Sequence, residues 1–95
     1  MKKCTCTVIY RYVEKYYEIL NITVKHKHEN IPLYATGEQY RFFDEMYSTV
    51  LSTLKANNFY VHAWKMFGGT MYDIDFIDVD NWEINRYSYG GVKNV

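Results

Sequence analysis

From Cys4 to Val13 the even positions Cys4, Cys6, Val8, Tyr10 and Tyr12 alternate with Thr5, Thr7 and Arg11, which is the two-residue period of a half-buried strand. Ile9 and Val13 blur the polar side. The same even parity returns in a second strand expected from Tyr16 to His28, through Leu20, Ile22 and Val24 against Asn21, Thr23, Lys25 and Lys27. Opposite residues of a hairpin share a face, so even must meet even, which needs a three- or five-residue loop or a bulge. A two-residue Glu14-Lys15 turn is disfavoured, because it sets Val8 against Asn21.

Pro32 breaks the strand pattern, and Thr36-Gly37-Glu38-Gln39 reads as a capping box opening a helix over residues 37–56. Tyr40, Phe43, Tyr47, Val50, Leu51 and Leu54 recur at three and four, one apolar stripe on that helix. Asn57-Asn58 supplies a left-handed stop. Beyond it, Phe59–Phe67, Gly68-Gly69 and Thr70–Val79 form the strongest hairpin signal in the chain, since glycine accepts positive φ at both turn positions. A tight turn at Asp80-Asn81 leads to a last strand from Trp82 to Tyr89, and residues 92–95 are expected to fray.

These elements predict a single α+β domain over residues 1–95, in the order ββαβββ, with an antiparallel sheet of about five strands and the helix on one face. A chain of 95 residues hides roughly two-thirds of its unfolded surface, too little for a large enclosed pocket. Aromatic residues make up 19% of it, Pro occurs once, and disordered chains lack this composition.

In the Gly68-Gly69 hairpin, Phe67, Lys65, Ala63 and Val61 face Thr70, Tyr72, Ile74 and Phe76 on the helix side. The other side then pairs Met66 with Met71, Trp64 with Asp73, His62 with Asp75 and Tyr60 with Ile77. Through the next turn Ile77 meets Ile84 and Asp75 meets Arg86. One sheet face thus gathers Tyr60, His62, Trp64, Met66, Met71, Asp73, Asp75, Trp82 and Arg86 with Ile77, Val79 and Ile84, an interface-like set. A bulge near Phe76-Ile77 is the competing arrangement and would return Ile77, Val79, Trp82 and Ile84 to the core.

The 11 basic and 11 acidic residues cancel, so no global field draws the chain to nucleic acid or to an anionic membrane. The first hairpin nevertheless mixes Tyr10, Arg11, Tyr12, Lys15, Tyr17, Lys25 and Lys27, residues able to stack bases and follow a backbone. Cys4, Cys6, His26 and His28 share one parity and form a weaker metal candidate. Pairing Tyr12 with Tyr16 would put Cys6 opposite Ile22 and Cys4 opposite Val24, so the thiols are expected to be reduced and metal-free. Asp73, Asp75, Asp78 and Asp80 lack the spacing and glycine of a calcium loop. His62 beside Asp75 has no nucleophile or oxyanion hole, and the chain has no P-loop, Rossmann glycine triplet or Gly-x-Ser-x-Gly elbow.

The expected function is therefore non-enzymatic and cofactor-free: a module that occupies a surface of a partner protein, or of a second copy as a homodimer. Small, neutral, Tyr-rich chains of this kind are encoded by phages and viruses as accessory proteins, including inhibitors of host defence, which is a class analogy. A nucleic-acid-binding module ranks second and a small metal-binding protein third. With no long apolar run and no secretory h-region, the expected location is the cytoplasm, the host's if the source is viral.

Overall fold

The computed structural model describes residues 2–34, 38–59, 70–81 and 83–89. Its elements run β1 (Lys2–Val13), β2 (Tyr16–His26), β3 (Glu29–Leu33), β4 (Gln39–Tyr40), α1 (Phe43–Ala56), β5 (Thr70–Asp78) and β6 (Glu83–Tyr89). The strands form one sheet in the order β3-β2-β1-β5-β6, with β4 also paired to β2. All of these pairings are antiparallel except β1 with β5, which is parallel. The fold is α+β with one helix on a largely antiparallel sheet.

The first hairpin solves its parity conflict with two devices at once. Glu14 and Lys15 form the disfavoured two-residue turn, both at positive φ (54° and 72°), as a type I′ connection requires. The ladder then runs Tyr12↔Tyr17, Arg11↔Glu18 and Tyr10↔Ile19, and skips Leu20 before Ile9↔Asn21 and Val8↔Ile22. Leu20 is the extra residue of a β-bulge, and it restores even-to-even pairing from Val8 onward. Cys6 consequently faces Val24 and not Ile22.

The second strand ends at His26. Lys27-His28 is a turn, with Lys27 at φ 59°, and the chain returns as β3 with His26↔Glu29 and Val24↔Ile31. Pro32 does not end the strand pattern; it pairs with Thr23 on the outermost strand, where its missing N–H interrupts no ladder.

The helix starts later than the capping-box motif indicates. Thr36 and Gly37 lie outside the described residues, while Gln39 and Tyr40 pair with Glu18 and Tyr17 as a short strand. The N-cap is Phe42, and the Glu45 carboxylate accepts the N–H groups of Arg41 and Phe42, each at 3.1 Å. It thereby satisfies donors that the first turn leaves unbonded. At the other end the Asn57-Asn58 stop is present, with Asn58 at φ 67°. Phe59 N–H donates to the Leu54 carbonyl and Asn58 N–H to that of Lys55, the paired bonds of a Schellman motif.

The inner sheet face and α1 enclose one core: Cys4, Cys6, Val8, Tyr10, Ile19, Ile22, Val24, Leu33, Ile74 and Phe76 against Tyr40, Met46, Val50 and Leu54. Met46 belongs to the buried stripe, while Tyr40 reaches the core from β4 and not from the helix.

The register expected for the Gly68-Gly69 hairpin does not hold. β5 is bonded to β1 along one edge and to β6 along the other from Tyr72 to Asp78, so the partners expected for Tyr72 through Ile77 in that hairpin are replaced by β1 and β6. Residues 60–69 themselves lie outside the described residues. The β5–β6 register is as expected, with Ile77↔Ile84 and Asp75↔Arg86, and it runs without a bulge at Phe76-Ile77.

Candidate functional site

Strand alternation divides β5 cleanly. Ile74, Phe76 and Asp78 are buried toward α1, whereas Asp73, Asp75 and Ile77 stand half-buried on the opposite face. Across the strands, β1, β5 and β6 set Ile9, Ile77 and Ile84 in one row and Thr7, Asp75 and Arg86 in the next. Ile84 is 63% exposed, a large apolar side chain left in water at the outer strand of the described sheet. Arg86 forks onto Asp75, Nε to Oδ1 at 2.6 Å and Nη2 to Oδ2 at 3.4 Å. The bond and the charge of Asp75, with Asp73 adding to it, hold the guanidinium above its ordinary pKa. The face therefore offers an apolar row bordered by a preoriented ion pair.

Of the residues expected on this face, Asp73, Asp75 and Arg86 are there. Met71 belongs to β5, but its side chain lies outside the described residues, as do Tyr60, His62, Trp64, Met66 and Trp82. The pairing of His62 with Asp75 is replaced: Asp75 has Thr7 and Arg86 as its cross-strand neighbours.

Asp78 has a different task from the other aspartates. It is 6% exposed and accepts from Asp80 N–H (3.0 Å), Asn81 N–H (3.3 Å) and the Asn81 amide (2.6 Å), shaping the β5–β6 connection. Val79 N–H donates to the Tyr10 carbonyl, which ties that turn to β1. The acidic run is thus divided between an ion pair at Asp75 and a turn at Asp78.

The thiols of Cys4 and Cys6 are buried and not joined in a disulfide. Burial, with a smaller push from Asp75, raises the Cys6 pKa to about 12, so at neutral pH it is an uncharged packing group. His26 faces Glu29 and His28 is exposed in the turn. Among the described residues no three Cys, His, Asp or Glu side chains converge.

The first-hairpin set is split by the fold. Tyr10 is 4% exposed. Tyr12 and Tyr17 pack ring against ring in a tilted pair, with centroids 4.6 Å apart. Arg11 is paired with Glu18 at 2.7 Å. Lys15 occupies the turn at one end of the hairpin, and Lys25 and Lys27 stand at the other. What sequence reasoning missed is an aromatic cluster joining Tyr10 and Tyr17 to Phe43, Tyr47, Phe76 and Tyr87, ring to ring at 5.0–6.0 Å in most contacts. Partial burial in it, then the charges of Tyr12, Asp78 and Tyr87, raise the Tyr17 pKa. Tyrosine on the even parity of β1 was the signal for it, and it indicates packing.

No protein-family model matches this chain, and no curated protein and no solved structure does either. Among the described residues no helix is long and apolar enough to cross a membrane.

Proposed function

We propose that this chain is a non-enzymatic protein-binding module that covers a surface of a partner protein with the sheet face opposite α1, centred on β5 and β6. The supporting observation is the isoleucine row of Ile9, Ile77 and Ile84, open at Ile84 and bordered by the Arg86–Asp75 pair. Apolar rows beside arginine are typical of protein contact surfaces, and charge pairs there orient a partner more than they tighten its binding. No nucleophile is placed beside a base on this face among the described residues, which is why an occupying role is preferred to a catalytic one.

The partner is another protein or a second copy of the chain, and the sequence class is consistent with a small inhibitor acting inside a host cell. Sedimentation of the purified chain reports self-association. Capture from the native host should be retained by wild type and by Tyr34→Ala, a control on an exposed residue elsewhere, and lost by Ile84→Asp. A monomer whose captured set is unchanged by Ile84→Asp would refute the assignment.

A further inference from the structure

The chain has no net charge, yet among the described residues the fold separates charges along the strands. At one end of the first hairpin, Lys25 pairs with Thr5, Lys3 and Lys2 follow Cys4 outward on β1, and His26, Lys27 and His28 lead through the turn to β3. Two carboxylates stand nearby, Glu29 opposite His26 and Asp73 opposite Thr5. Toward the opposite end lie Glu14, Glu18, Asp78 and Asp80, with Lys15 beside Glu14 in the turn and Arg11 already engaged by Glu18. Lys25, Lys27 and His28 are exposed.

We propose that this basic end is a contact site for the phosphodiester backbone of nucleic acid, separate from the protein-binding face. The choice over an acidic protein follows from what accompanies the charge. A protein contact draws its energy from buried apolar anchors, and exposed ion pairs alone add little. The exposed large apolar side chains of the described residues lie elsewhere: Tyr12, Val13 and Tyr16 flank the Glu14-Lys15 turn, Leu20 is in the bulge, Tyr34 follows the end of β3 far from the Lys27-His28 turn, Phe42 caps the helix, Tyr87 packs against Phe76, and Ile84 is beside the Asp78 turn. A polyanion needs no such anchor, because neutralising phosphates releases condensed counterions. Contacts to phosphates carry no base information, so the contact is independent of sequence.

The test titrates the purified full chain onto fluorescein-labelled duplex DNA, and onto a single strand of the same length, between 25 and 200 mM salt. With about three phosphates contacted, log K should fall against log salt with a slope near −3. The variant Lys25→Gln/Lys27→Asn should make that slope shallower by about 2. Asn is chosen at position 27 because it tolerates the positive φ there. Arg11→Gln/Lys15→Asn, at the other end of the hairpin, should leave affinity and slope unchanged. Absence of binding at 25 mM salt, or equal losses in the two variants, would overturn the proposal. Matching far-UV spectra for both variants confirm that charge, and not folding, is being compared.

Discussion

Deleting a residue from the middle of a strand ordinarily turns every later side chain to the wrong face, yet deletion of Leu20 should leave this fold intact. Leu20 faces no residue of β1: Tyr10 pairs with Ile19 and Ile9 with Asn21. Removing it therefore yields an uninterrupted ladder with every other pair preserved, and the 34–38 connection must absorb only about 3.3 Å as β3 and β4 draw together. Leu20 is 47% exposed, so about half a side chain of burial is lost, about 1 kcal/mol, partly offset by the regular ladder. Deletion of Thr23 is the contrasting case. It would turn Val24, 0% exposed, out of the core and bring Lys25 in. Losing the valine costs about 2 kcal/mol and burying the lysine several more, a large part of the roughly 5–15 kcal/mol that holds a domain together. Urea unfolding followed by circular dichroism measures both. The expected change for the Leu20 deletion is within about 1 kcal/mol of wild type, with the Thr23 deletion largely unfolded. Comparable destabilisation by the two deletions would show that the bulge is not what sets the register.

Two further outcomes follow from groups in the core. The Tyr40 hydroxyl is buried with no hydrogen-bond partner among the described residues, so Tyr40→Phe should be neutral or stabilising by up to about 1 kcal/mol in thermal unfolding; a loss of more than that would reveal a bond to it. Cys6 should resist alkylation in the folded protein, and because its folded pKa of about 12 lies above the ordinary 9.0, its contribution to stability is complete below pH 9 and is lost as pH rises toward 12, at up to about 1.4 kcal/mol per unit. Cys6→Ala should remove that part of the alkaline dependence, and an unchanged slope would contradict the assignment.

The elements legible in the sequence were those whose signal is local. The alternation of β1, the stop at Asn57-Asn58 and the Ile77↔Ile84 register depend on neighbouring residues, and each is found in the structure. What escaped depends on distant chain segments. β1 and β5 are parallel partners separated by the whole helical connection, and no turn residue announces such a pair. The Gly68-Gly69 signal pointed to a sequence-adjacent partner, but from Tyr72 to Asp78 both edges of β5 are taken by β1 and β6. At the helix start, the Thr36 motif had the right residue types, but pairing Gln39 and Tyr40 with β2 took those positions from the helix and moved the cap to Glu45 and Phe42. Of the candidate site, the Asp75–Arg86 pair was predicted from its register, while Ile9 joined the isoleucine row only through the parallel ladder.

That ladder also explains how a neutral, small chain can present two unlike surfaces. Because β1 is central, its odd side chains extend the β5–β6 face, while its first residues, Lys2 and Lys3, lie at the strand end where Thr5 pairs with Lys25. The two surfaces can be separated experimentally because they respond to opposite perturbations. An apolar contact at Ile84 should be nearly indifferent to salt and abolished by Ile84→Asp, whereas the basic end should respond steeply to salt and be indifferent to that substitution. If Ile84→Asp weakened DNA binding as much as Lys25→Gln/Lys27→Asn, the two would be one surface, and the sheet face itself would have to be the nucleic-acid contact.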